Sequence, residues 1–124
     1  MGSKTIITVA SPKGGVGKTT VAYEIAARGK AILVDLDWDM GGATGMWGDD
    51  PETRQSSNLL NGLMRGEGAT PRPLHHIARP ALVPTDPRLA MLQVNVERVA
   101  ERLQTWAAAW SQTLILQRTI SRWW

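Results

Sequence analysis

Ser11-Pro12-Lys13-Gly14-Gly15-Val16-Gly17-Lys18-Thr19-Thr20 separates two patterned segments. Before it, Thr5 to Ala10 (TIITVA) is a short β-branched apolar run that suits a strand buried on both faces. After it, Val21, Ala22, Ile25 and Ala26 recur at helical spacing between Lys18 and Arg28, and Gly29 is a natural C-terminal stop. Ala31 to Leu36 (AILVDL) is a second buried strand. Strand, loop, helix and strand in this order make a βαβ unit with parallel strands.

The loop carries chemistry as well as topology. Glycines at 14, 15 and 17 let backbone N–H groups approach phosphate oxygens that a side chain would hold away. A helix starting at Lys18 adds the positive end of its dipole. Gly14, Gly15, Val16, Gly17, Lys18, Thr19 and Thr20 are thus the expected nucleotide-binding residues. Lys18 supplies a mobile charge for the terminal phosphates, and the Thr19 hydroxyl is placed to ligate Mg²⁺. A merely flexible glycine loop would not require six specified residues in a row between a strand and a helix.

The ordinary phosphate-loop pattern G-x-x-x-x-G-K-[ST] is altered here: Pro12 stands at its first glycine and an extra lysine, Lys13, follows. In the form K-G-G-x-G-K-T the loop resembles the deviant Walker A motif of the ParA/MinD family of ATPases. Val34-Asp35-Leu36-Asp37 adds the D-x-D that this family carries after its second strand, and Asp35 to Thr44 resembles the continuation D-x-D-P-Q-G-x-A-T with one inserted residue and without the Pro-Gln pair. The resemblance implies that Asp37 promotes hydrolysis by orienting water and that Asp35 supports the magnesium shell. Asp39 is expected to be a solvated turn residue. Lys13 is implied to reach across a nucleotide-sandwiched dimer to the partner's phosphate, as an arginine finger does elsewhere. After a late apolar strand the family places a metal-supporting aspartate; here Leu114-Ile115-Leu116 is followed by Gln117-Arg118-Thr119-Ile120.

Composition narrows the alternatives. The 124 residues, 43% hydrophobic and 20% charged, suffice for one domain with a core. No cysteine is present, which excludes thiol catalysis, disulfides, thiolate zinc sites and iron–sulfur clusters. Residues 1–62 carry six Lys/Arg against seven Asp/Glu, and residues 63–124 carry eight against four, so the net charge of +3 belongs to the second half. That surplus alone is weak support for nucleic-acid binding. No apolar run reaches the roughly 18 residues of a membrane span, and a signal-like N-terminus is lacking, so a cytoplasmic protein without a membrane partner is expected.

Downstream, residues 37–57 carry no clear period, and a short helix is expected from about Ser56 to Met64. Gly66 to Pro80 suggests an irregular connection, and Ala81 to Val83 a third short strand. Val96, Val99, Leu103, Trp106 and Trp110 mark an amphipathic helix from about Leu92 to Trp110, with the two tryptophans expected in the core. Thr113 to Leu116 is a last strand, and 117–124 an unpatterned tail. His75 and His76 lack a third ligand and predict no metal site. Arg72, Arg79, Arg88, Arg98 and Arg102 form either a phosphate-facing patch or an ordinary solvated face.

The expected fold is therefore a single α/β three-layer P-loop NTPase domain over 1–124, with a mainly parallel sheet and a truncated C-terminal side. The resemblance implies a ParA-like, Mg²⁺-dependent ATPase that binds ATP and ADP and acts as a nucleotide-switched homodimer in plasmid, phage or chromosome partitioning, with a partition adaptor and non-specific DNA as partners. The alternative is a nucleotide-binding and dimerisation module without turnover.

Overall fold

A computed structural model describes residues 5–11, 17–37, 42–48, 73–85, 96–110 and 113–119. The elements are β1 (Ile6–Ser11), α1 (Lys18–Gly29), β2 (Ile32–Asp35), α2 (Ala43–Trp47), β3 (Leu74–His76), β4 (Arg79–Val83), α3 (Val96–Trp110) and β5 (Leu114–Thr119). They form one five-stranded sheet in the order β1-β5-β2-β4-β3. The pairs β1–β5, β5–β2 and β2–β4 are parallel, and β3 runs antiparallel to β4. The expected α/β class and mainly parallel sheet are present.

The register explains the core. Leu33 lies level with Ile115 on one side and Leu82 on the other, while Val34 lies level with Leu116 and Val83. Side chains alternate across a strand, so such rows send whole sets to opposite faces. Leu33, Leu82 and Ile115 pack with Ala22 and Ala26 of α1 and with Ala43 and Trp47 of α2. Ile32, Val34, Leu36, Val83, Leu114 and Leu116 pack with Val99, Leu103, Trp106 and Ala107 of α3. Helices thus cover both faces, giving the three expected layers.

Several expectations need correction. β1 is not buried on both faces: among the described residues it stands at the end of the sheet, paired only with β5, and Ile7 is 40% exposed. β5 lies between β1 and β2, so the βαβ unit skips one strand. On α1 the buried line is Lys18, Ala22 and Ala26, spaced by four, whereas Val21 and Ile25 face outward. The left-handed C-cap falls on Lys30 (φ 50°), one residue beyond Gly29, with its N–H donated to the Ala26 carbonyl.

The stretch expected to be an irregular connection contains β3, which forms a hairpin with β4. Residues 117–119, placed in an unpatterned tail, instead continue β5 alongside β1, with Val9 level with Gln117 and Ser11 level with Thr119. Backbone pairing needs no apolar pattern, so polar residues can extend a strand this way. The start of the late helix before Val96 and the helix expected over 56–64 lie outside the described residues.

Two tryptophans fasten the helices to the sheet. Trp47 ends α2; its indole N–H donates to the Pro80 carbonyl at 2.8 Å, the Arg79 guanidinium lies 5.0 Å from its ring centre, and the His76 ring meets it edge-on at 6.3 Å. Trp106 is 1% exposed and rests against the half-buried Trp110, with ring centres 5.8 Å apart. Both late tryptophans serve the core side of α3, as expected. Trp106→Ala should cost about 3–5 kcal/mol in urea unfolding, the range for truncating a buried aromatic; a loss below about 1 kcal/mol would show that α3 does not depend on this contact.

Candidate phosphate site

In a parallel sheet, ligands gather beyond the carboxyl ends of the strands. Here that edge holds Ser11 at the end of β1, Thr119 at the end of β5 and Asp35 at the end of β2. The chain enters α1 there as well. Gly17 precedes the helix with φ 85°, a left-handed conformation that a side chain would strain, and open space surrounds the place where its Cβ would stand. The N-cap position is Gly17, which has no side chain to cap the helix, and the first turn of α1 contains no acidic residue, so α1 itself does not neutralise the positive end of its dipole.

Lys18, the first residue of α1, points back across this edge. Its Nζ donates to Asp37 Oδ2 at 2.6 Å, and the two side chains are only 4% and 8% exposed. A buried ammonium needs a charge partner because desolvation alone costs several kcal/mol. The pair joins the helix after the glycine loop to the segment just after β2, although β5 separates their strands. Thr19 is half-buried and Thr20 is exposed. Lys13, Gly14, Gly15 and Val16 lie outside the described residues, as does Asp39.

The two carboxylates of the D-x-D differ. Asp37 meets Lys18. Asp35, expected to support the magnesium shell, is fully buried, and its oxygens are engaged by protein donors. Oδ1 accepts the Asp37 N–H at 3.0 Å, and Oδ2 accepts both the Thr44 N–H at 2.9 Å and the Thr44 hydroxyl at 2.6 Å. Burial pushes its pKa up to about 7, opposed by the hydrogen bonds from Thr44 and Asp37, which favour the carboxylate. Thr44 is the residue the sequence reading passed over: it ends the G-x-A-T stretch, but its role depends on a contact nine residues back along the chain.

The other candidates separate from this edge. His76 Nδ1 accepts the Ala78 N–H at 3.2 Å in the β3–β4 turn, and His75 is exposed. Among the described residues no group of three or more His, Asp or Glu side chains could hold a metal ion. A magnesium ion bound with a nucleotide needs no such cluster, because it takes one or two protein oxygens together with phosphate oxygens and waters. Of the arginines, Arg79 lies over Trp47 and Arg102 is half-buried on α3; Arg72, Arg88 and the Arg98 side chain are outside the described residues.

Residues 4–120 match the family model of an AAA domain, AAA_31. The chain belongs to this family of ParA/MinD-like P-loop NTPases. Two solved structures of cobyrinic acid a,c-diamide synthase from Mycobacterium smegmatis are similar to it, one with bound ADP and magnesium and one with a bound ATP analog and magnesium. Each has a TM-score of 0.68 and 26% sequence identity, over 94% of this chain and 51% of the other. The chain thus spans about half the length of those proteins. No curated protein matches it. Among the described residues, no helix is long and apolar enough to cross a membrane.

The ion pair has a consequence for mutagenesis. Lys18→Ala removes the charge facing buried Asp37 and should cost about 3–5 kcal/mol of unfolding free energy. Lys18→Met combined with Asp37→Leu should recover most of this loss. Urea denaturation of the three variants checks it; a fully stable Lys18→Ala would mean that the pair is not buried in solution.

Proposed function

We propose that the chain is a Mg²⁺-dependent ATPase of the ParA type that works in the cytoplasm as a nucleotide-switched homodimer. The buried Lys18–Asp37 pair carries this reading, because it sets a cation and a carboxylate together at the start of α1, whose N-cap is a glycine without a capping side chain. Membership of a P-loop family and the adenine nucleotides and magnesium in the similar solved structures support it.

In this reading Gly14, Gly15, Val16 and Gly17 present backbone N–H groups to the phosphates, with Thr20 and the α1 dipole behind them. Lys18 turns from Asp37 to the terminal phosphates, and the Thr19 hydroxyl holds the metal. When bound, Mg²⁺ neutralises charge on the phosphate oxygens. Asp37, released from Lys18, orients the attacking water. Lys13 of each protomer reaches the phosphates held by the other, so hydrolysis depends on dimerisation. Asp35 receives no metal role because its oxygens face Thr44 and the Asp37 backbone. A partition adaptor and non-specific DNA complete the proposed setting.

Two variants test separate parts of the site. Asp37→Asn should retain ATP binding but lose about 100-fold or more in phosphate release, the scale of a lost positioning group. Lys13→Ala should bind ATP as a monomer yet show neither dimer by light scattering with a non-hydrolysable analogue nor turnover. Equal dimer formation by Lys13→Ala and the parent chain would remove the cross-dimer role, and unchanged hydrolysis by Asp37→Asn would remove the water-orienting one.

A further inference from the structure

Asp35, Thr44 and Thr85 meet in a buried cluster at the same sheet edge, at 0%, 2% and 0% exposure. The Thr44 hydroxyl donates to Asp35 Oδ2 at 2.6 Å, and its oxygen accepts the Thr85 N–H at 2.9 Å. One hydroxyl therefore closes a chain from the end of β2 through the first turn of α2 to the segment beyond β4. The carboxylate at its centre also takes the Asp37 N–H in an Asx-type turn, which sets the direction in which residue 37 leaves the strand. Asp37 in turn holds Lys18.

A buried network of this kind could serve the fold alone. Its reach argues for more, because the atom anchoring Thr44 belongs to the carboxylate that orders the backbone of a phosphate-site residue. We propose that Thr44 is a positioning residue: its hydroxyl, clasped between Asp35 and the Thr85 N–H, holds the Asp35 carboxylate in the orientation that aims Asp37 at Lys18. Valine has nearly the shape of threonine but can neither donate to Asp35 nor accept from Thr85. Asp35 then keeps the N–H donors of Thr44 and Asp37 but loses the hydroxyl that clasps Oδ2, so its carboxylate swings and takes the Asp37 backbone with it. Serine keeps both hydrogen bonds.

The first arm of the test needs no nucleotide. Trace acetylation of the ligand-free chain, read at Lys18 by mass spectrometry, reports how firmly Asp37 holds the ammonium. Asp37→Asn sets the upper limit. Thr44→Val should label Lys18 about 10-fold faster than the parent chain, the scale of losing one hydrogen bond to a charged group, and Thr44→Ser should restore slow labelling. Circular dichroism confirms the fold of each variant. Should Thr44→Val fail to fold, Thr44→Cys, which retains a weak S–H donor, carries the same comparison with an intermediate rate expected.

The second arm rests on the ATPase reading. Thr44→Val should lower kcat about 10- to 100-fold while ATP affinity changes less than about 3-fold, with recovery in Thr44→Ser. Labelling at the parental rate in folded Thr44→Val, or equal labelling in the Val and Ser variants, would overturn the proposal. Accelerated labelling in Thr44→Val, rescued by Ser, with no hydrolysis by any variant or by the parent chain would uphold the positioning role and reject the ATPase reading.

Discussion

The parallel pairing of β2 with β5 on one side and β4 on the other is the constraint from which the remaining structure follows. Because Ile32, Leu33 and Val34 each lie level with β4 and β5 residues facing the same way, two apolar layers form at once. A slip of one residue would send each set to the opposite face, so the two helix layers lock the register between them. The same register brings the ends of β1, β5 and β2 to one edge. The start of α1 and the D-x-D, distant in sequence and separated by a strand, thereby meet at a common edge, where Lys18 reaches Asp37.

Polar groups at that edge are held by one another. Lys18 and Asp37 are both desolvated, and each offsets the cost of burying the other. Behind them Asp35 receives three donors, and through Thr44 the end of β2 and the segment beyond β4 are both tied to α2. On the proposed reading, a polyphosphate offers Lys18 more charge than one carboxylate does, which frees Asp37 for its second task. The ligand-free arrangement and the loaded one would then differ by an exchange of partners around Lys18, with Asp35 and Thr44 held constant.

Much of this was legible in the sequence because the decisive segments are either continuous apolar runs or special backbone positions. AILVDL and the LIL of β5 are continuous apolar runs that the sheet buries, and TIITVA forms a strand although its place at the sheet edge leaves it largely exposed, while the glycine loop marks where the chain turns into α1. Leu74-His75-His76 was not legible, since an edge strand with two exposed histidines carries no apolar pattern. Arg79 and Pro80 were also lost, because the interest of Pro80 lies in its carbonyl and that of Arg79 in a ring 32 residues away. The D-x-D pointed correctly to an acidic edge but not to the division of labour within it. Which carboxylate turns inward depends on Thr44 and Thr85, whose positions only the folded chain brings together.

The central claim is that the Lys18–Asp37 edge is a site for the terminal phosphates of a nucleotide. Isothermal titration of the parent chain with ATP, ADP and AMP in the presence of Mg²⁺ tests it most directly. The account predicts one ATP per chain, and AMP, which lacks the phosphates that Lys18 and the start of α1 would hold, should bind at least about 100-fold more weakly, a difference of roughly 2.7 kcal/mol. Equal affinity for ATP and AMP, or no binding of either nucleoside polyphosphate, would contradict it.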